Sequence, residues 1–383
     1  MAKKRTIEEI NEKIRSGRAV VLTAEQVSAM GRELTPSEIV EKVDVVTTGT
    51  FGPMCSSGMF INFGHSDPPM RMEKLTMNNV PVFGGIAAVD AYIGATETAL
   101  PHDQYGGAHV IEELIAGKDV LLQATAKGTD CYPRTEIKTL INRERVNEMI
   151  MFNPRNAYQN YNVAVNSTSK MKYTYMGTLL PSFGNATFST SGELSPLLND
   201  PEMRTIGIGT RIFFGGATGY VAWHGTQFNT GKPVNDHGVP VGNSATLALI
   251  GNAKEMDTRF IKAAYFEKYG VSIFVGVGIP IPVLDEDMAR RVMIRNSQIE
   301  TNVIDYGNPA NGVLGRADYQ SLFSGEITLK GRKIRTAPLS SVKVAREIAA
   351  ILREEIMSGR FMLTEPVELF RKTTGLNSLQ IRL

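Results

Sequence analysis

The run VSIFVGVGIPIPVL at residues 271–284 passes directly into DEDMARRVMI, and that junction restricts the fold more than any other stretch of the chain. A β-branched apolar run closing on prolines reads as a buried strand that ends in a turn, because proline cannot extend a hydrogen-bonded ladder. The acids that follow suit the first turn of a helix, where unpaired N–H groups carry partial positive charge. The same alternation recurs along the chain. KVDVVTTGT, VPVFGG and DVLLQATAKGTDCYP read as short strands, with GGAHVIEELIAG as a helix among them. Ile7, Ile10 and Ile14 recur at helical spacing over 6–16, Thr23 is placed to cap a helix beginning near Glu25, and SSVKVAREIAAILREEIMSGRF is amphipathic, with Ser340 or Ser341 as its cap and Gly359 as its stop. Strands alternating with helices predict an α/β fold with some parallel pairing, and a mixed α+β arrangement fits the same pattern.

Residues 156–250 differ from what flanks them. They are rich in glycine, threonine and aromatics and read as strands and turns with few helices. Three segments result: 1–155, an α/β segment carrying both cysteines; 156–250, rich in strands and turns; and 251–383, an α/β segment ending in the amphipathic helix. The three also fit one continuous catalytic domain, since 383 residues are enough for roughly two or three domains.

Composition excludes several classes of function. With 41 Lys+Arg against 39 Asp+Glu the net charge is +2, which argues against nucleic acid as a partner. The N-terminus turns charged and helical without the apolar core of a signal peptide, and no window of 18 apolar residues marks a membrane span. Two cysteines 76 positions apart do not make a disulfide scaffold, so the expected setting is a reducing cytoplasm.

Three constellations bear on chemistry. GIGTRIFFGGATGY at 207–220 lacks both the GK[ST] of a phosphate loop and the helix that follows a dinucleotide fingerprint, so its glycines read as turn positions. The five histidines, His65, His102, His109, His224 and His237, show no zinc-type spacing, and no metal is expected. The cysteines stand apart. Cys55, in TTGTFGPMCSSG, is flanked by small and turn-forming residues that leave backbone N–H groups free to face an anion. Cys131, in GTDCYPR, is placed at the end of a strand with Arg134 three residues on, where a guanidinium favours thiolate. Two inert buried cysteines satisfy the same local context.

The stretches DVVTTGTFGPMCSSGMFINFGHSDPPMRM and ATAKGTDCYPR resemble the homocysteine biosynthesis family, the L-aspartate semialdehyde sulfurtransferases of anaerobic, sulfide-using microbes. IGIGTRIFFGGATGYVAWHGTQFN and GVGIPIPVLDEDMAR are similar to later motifs of the same family, so the resemblance runs from about residue 5 to residue 360. Many members carry C-terminal CBS modules, whereas this chain ends at Leu383 without room for them, and regulation by an adenosyl ligand through such modules is not expected.

The resemblance implies insertion of sulfur at the aldehyde carbon of L-aspartate semialdehyde to give L-homocysteine, with sulfide or a persulfide as donor. It points to Cys131 as the persulfide carrier and leaves Cys55 as a resolving thiol, able to bridge to Cys131 as sulfur is released, or as a second sulfur-handling site; both motifs end strand-like runs, so the two sulfurs are expected in one pocket. Chemistry then suggests His65 as general acid, Arg134 or Arg71 as the carboxylate clamp, and Asp67 or Asp130 for the substrate ammonium. An iron–sulfur cluster normally takes four cysteine ligands and this chain has two, so reducing equivalents are expected from a ferredoxin-like partner, with no cofactor bound by this chain and a homo-oligomeric state. A competing reading is a non-catalytic sulfur carrier or a scaffold for metal or cluster assembly; it would bind sulfur or metal and ignore the amino acid.

Overall fold

The computed structural model describes residues 4–100 and 102–381. Three threonines open its first helices in one manner. Thr6, Thr23 and Thr35 each accept a hydrogen bond from the backbone N–H three residues on, and the side-chain oxygens of Glu9, Gln26 and Glu38 in turn accept one from the threonine N–H. Each pair satisfies two donors that a helix start leaves unpaired. The helices Ile7–Arg15, Ala24–Met30 and Pro36–Lys42 follow from these caps.

Among the described residues thirteen strands share the main sheet. From its centre, Glu148–Asn156, one wing runs through Gly58–Asn62, Asp90–Gly94, Val80–Phe83, Lys74–Met77 and Val120–Thr125 to Glu136–Ile141. The other runs through Leu247–Asn252, Ala217–His224, Arg211–Phe214 and Gly270–Gly278 to Ile261–Phe266, with Thr50–Pro53 also paired to Gly270–Gly278. The pairings along both wings are antiparallel. Parallel pairing occurs in the smaller sheets: Val163–Val165 beside Glu300–Asp305, Ala186–Phe188 beside Arg332–Pro338, and Val21–Thr23 beside Val45–Thr47. The α/β reading holds, and its parallel component is confined to these short pairs.

The proline-closed run at 271–284 explains the junction of the layers. Gly270–Gly278 is buried along most of its length, and Pro280–Pro282 continues as the partner of Val45–Thr47. Asp285 then caps the helix Glu286–Val292. The amphipathic helix Val342–Met357, capped by Ser341, buries Ile348, Leu352 and Ile356 in one core with Ile7, Ile10 and Ile14. It lies so close to the chain below that a Cβ on Gly49 would sit 2.1 Å from the carbonyl oxygen of Ala345. The GG of GIGTRIFFGGATGY forms the turn between Arg211–Phe214 and Ala217–His224, with both glycines at positive φ, as the turn reading of that motif requires.

The sequence boundaries at 155/156 and 250/251 fall inside two strands, Glu148–Asn156 and Leu247–Asn252, that pair with each other. Residues from all three segments therefore share the main sheet. A second sheet, built from strands between Val163 and Pro338, has its own core around Phe188, Val303, Tyr319 and Leu322.

Candidate functional site

Cys55 stands at a cavity whose wall takes residues in or next to strands of both sheets, Pro53 from the first and Ser189 and Leu339 from the second. Thr50–Pro53 is fixed on Gly270–Gly278, Met54 N–H donates to Ile273 O at 2.7 Å, and Ser57 donates from both N and Oγ to Met54 O at 3.0 and 2.8 Å. The buried Asn153 holds Ser57 Oγ from the neighbouring strand at 2.7 Å. This turn lifts Cys55 and Ser56 out of the ladder and leaves the thiol half-buried. The glycines on either side serve packing: a Cβ on Gly52 would meet Ser340 Oγ at 2.5 Å, and one on Gly58 would meet the Tyr92 hydroxyl at 2.1 Å. The small residues around the thiol thus permit close approach of neighbouring elements.

Two hydroxyls face the sulfur. Ser272 Oγ lies 3.5 Å and the Tyr269 hydroxyl 3.7 Å from Cys55 Sγ. The thiol opens into a cavity of about 340 Å³ lined by Arg155, Tyr158, Tyr161, Tyr175, Gln227 and Tyr269, among others. Among the described residues Arg155 is its single lining cation, and none that line it is acidic. Arg155 Nε donates to Thr226 Oγ1 at 3.0 Å, and among the described residues the guanidinium makes no ion pair. The tyrosine wall is linked by its hydroxyls: Tyr161 donates to Tyr175 at 3.2 Å, and Tyr175 and Tyr306 share a hydrogen bond of 3.0 Å. Burial, above all, pushes the Tyr161, Tyr306 and Tyr269 hydroxyls above their usual pKa; the charge of the Cys55 sulfur adds to the effect on Tyr269. These phenols stay protonated at neutral pH. Ala157 and Gln227, beside the cavity, hold positive φ without being glycine, a backbone arrangement that collects at functional sites.

The other thiol lies elsewhere. The strand Val120–Thr125 stops six residues before Cys131, which sits at the exposed tip of a tight turn closed by reciprocal Thr129 and Tyr132 backbone hydrogen bonds of 2.9 and 3.1 Å. The sequence placed Cys131 at a strand end; the lysine–glycine pair after Ala126 instead starts a loop, with Gly128 at positive φ. Arg134 donates through Nη2 to Asp67 O at 2.5 Å and through Nε to Pro68 O at 3.1 Å, so its guanidinium pins one loop to the other. The His65 ring stacks on Tyr132 with centroids 6.1 Å apart. His65, Asp67, Asp130, Cys131 and Arg134 are thereby gathered on one open loop cluster, with Arg71 exposed on the chain leading from it. None of them lines the Cys55 cavity. Among the described residues, no three His, Cys, Asp or Glu side chains gather as metal ligands would.

Register fixes the relation of the two thiols. Phe60 pairs with Tyr92, Tyr92 with Phe83, Phe83 with Lys74 and Lys74 with Thr125, so Gly58–Asn62 and Val120–Thr125 point the same way. Cys55 enters the first strand at its beginning, and Cys131 leaves the second at its end. The thiols sit at opposite ends of the sheet, four strand spacings apart, which is about 19 Å measured across it.

A model of the family described as homocysteine biosynthesis enzyme, sulfur-incorporation, matches residues 19–363. The chain belongs to this family. It is 48% identical over 382 residues to an L-aspartate semialdehyde sulfurtransferase of Methanocaldococcus jannaschii, a match covering 95% of this chain and 73% of that protein. It is 45% identical over 379 residues to an L-aspartate semialdehyde sulfurtransferase of Methanosarcina acetivorans, covering 98% of this chain and 74% of that one. An uncharacterized protein of Methanothermobacter thermautotrophicus is 28% identical over 334 residues. No solved structure matches the chain. Membership makes this chain a sulfur-transferring enzyme of homocysteine synthesis. Among its described residues no helix is long and apolar enough to cross a membrane.

Both cysteines stood out in the sequence, but the cavity's other groups did not. Arg155, Tyr158 and Tyr161 fall in FNPRNAYQNYNV, which begins in the strand Glu148–Asn156 and runs past its end, and its density of amides, tyrosines and one arginine was the available signal. Tyr175, Tyr269 and Ser272 come from separate turns and strands, and nothing local ties them to Cys55.

Proposed function

We propose that this enzyme inserts sulfur at the aldehyde carbon of L-aspartate semialdehyde to form L-homocysteine, receiving the semialdehyde in the Cys55 cavity. The observation that carries this reading is Cys55 facing a walled cavity beside one guanidinium that makes no ion pair among the described residues, in a chain sharing 45–48% identity with two proteins named for that activity. Arg155 anchors the substrate carboxylate and the aldehyde carbon lies toward the thiol. With no carboxylate on the wall, the substrate ammonium meets tyrosine faces and neutral acceptors.

In this reading Cys131, on its exposed hairpin, takes up sulfur as a persulfide, with His65, Asp67 and Asp130 around that loading point, and its outer sulfur passes to Cys55 by thiol exchange, the Cys131 thiolate leaving, from a second copy of the chain or after the hairpin moves. The electrons must balance. Conversion of an aldehyde and sulfide to a thiol consumes two electrons and releases water, and a persulfide sulfur requires two more. A separate ferredoxin-like protein supplies these electrons. Incubation with a sulfane-sulfur donor should add one sulfur to the peptide containing Cys131, reversibly by dithiothreitol, and Cys131→Ser should abolish the adduct and homocysteine formation together. Loading confined to Cys55, with Cys131→Ser fully active, would reverse the assignment; binding of sulfur without any affinity for the semialdehyde would favour a carrier.

A further inference from the structure

The Cys55 sulfur has two hydroxyl neighbours, and they differ in a way that suggests different tasks. Ser272 is buried on the strand Gly270–Gly278, behind the thiol, and its Oγ is 3.5 Å from Sγ. Tyr269 belongs to the turn that precedes the strand, lines the cavity, and keeps 40% of its surface exposed although it is one of the rings facing the thiol. Its neighbours on that side are Cys55 and the ring of Tyr175, whose centroid is 6.2 Å away. Among the described residues no histidine or carboxylate lines the cavity to handle a proton. His65, the acid suggested by the sequence, stands with Cys131 at the opposite end of the sheet. Among the described side chains that line the cavity, the hydroxyls are therefore the groups suited to pass a proton when a carbonyl reacts at Cys55.

We propose that Tyr269 is the proton shuttle for addition of the Cys55 sulfur to the substrate aldehyde, with Ser272 as a positioning residue for the thiol. The inference rests on the cavity being the semialdehyde site. As the C–S bond forms, the carbonyl π pair moves to oxygen, the Tyr269 proton passes to that oxygen, and the thiol proton replaces it on Tyr269. The product is a neutral hemithioacetal on Cys55, and the step consumes no oxidant or reductant. A phenol suits both halves of the exchange because its oxygen can donate and accept at one position. Ser272 Oγ donates to the sulfur from the buried side and leaves the sulfur's remaining lone pair aimed into the cavity.

The test uses the full chain carrying Cys131→Ser, so that Cys55 is its one thiol. Carbon-13 NMR with semialdehyde labelled at the aldehyde carbon reads the hemithioacetal and its exchange rate, while alkylation by iodoacetamide reads the reactivity of the same thiol without any carbonyl to protonate. Tyr269→Phe should slow aldehyde exchange by about 10²-fold or more and change alkylation only a few-fold. Ser272→Ala should slow both reactions together. Equal slowing of both reactions by Tyr269→Phe would reduce Tyr269 to a packing residue and overturn the proposal, as would aldehyde exchange that ignores the substitution. Those results leave the substrate reading intact; absence of any hemithioacetal in the presence of a reactive Cys55 overturns the shuttle and the substrate site alike.

Discussion

Arg155 is the residue on which recognition at the cavity turns, because among the described residues it supplies the only formal charge on the wall. A charge-assisted hydrogen bond is worth about 1.5–3 kcal/mol, so Arg155→Gln should raise KM for the semialdehyde by roughly 10- to 100-fold while leaving Cys55 alkylation near its normal rate. A loss of alkylation equal to the loss of affinity would show that Arg155 supports the turn and does not hold substrate. This residue also marks how far local reading reaches. Cys55 and Cys131 are conspicuous because cysteine is scarce in the chain, but Arg155 is one of 41 basic residues and gains meaning only through its place beside Cys55. Arg134 shows the converse: three residues from Cys131 in sequence, it spends its guanidinium on the carbonyls of Asp67 and Pro68.

Elements were more legible than residues, since their signals are local. Capping residues and apolar periodicity place Ile7–Arg15, Glu286–Val292 and Val342–Met357 where the sequence predicts them. The end of Val120–Thr125 was not legible, because AKGTD carries no signal separating a frayed strand from a loop. Asp285 shows a cap doing a second job. Its carboxylate accepts Met288 N–H at 2.9 Å and two guanidinium hydrogen bonds from Arg204 at 2.6 and 3.0 Å. The Arg204 hydrogen bonds, foremost, hold its pKa down from 3.8 to about 2. A depressed folded-state pKa means that the stabilisation is complete above the ordinary value and lost as pH falls through the depressed one. Asn also caps helices, so Asp285→Asn removes charge and keeps the cap. It should destabilise the protein at pH 7 by about 1–2 kcal/mol after solvent screening, and denaturant melts of the two proteins should converge as pH is lowered from 4 toward 2. A difference unchanged at the acid end would assign the effect to the cap.

At the scale of the whole molecule the decisive fact is strand order, which no local pattern encodes. The two cysteine motifs each border a strand, and their sequence separation would allow a crossover that brings them together. The chain instead makes a run of antiparallel neighbours, placing Asp90–Gly94, Val80–Phe83 and Lys74–Met77 between the strands that adjoin Cys55 and Cys131. Parity does the rest. Four antiparallel steps return the fifth strand to the direction of the first, so a thiol before one strand and a thiol after the other emerge at opposite ends. A disulfide requires Cα atoms about 4.4–6.8 Å apart, and the lateral separation alone is about 19 Å measured across the sheet. The direct Cys55–Cys131 bridge expected from the sequence therefore has no route in the folded chain as it stands. Mild oxidation with diamide under native conditions should leave monomeric protein with both thiols free or capped by small thiols, and peptide mapping should place any Cys55–Cys131 linkage between two chains. Stoichiometric intrachain disulfide in monomeric, folded protein would show that the hairpin bearing Cys131 swings across the sheet, and would restore Cys55 as the thiol that resolves its persulfide.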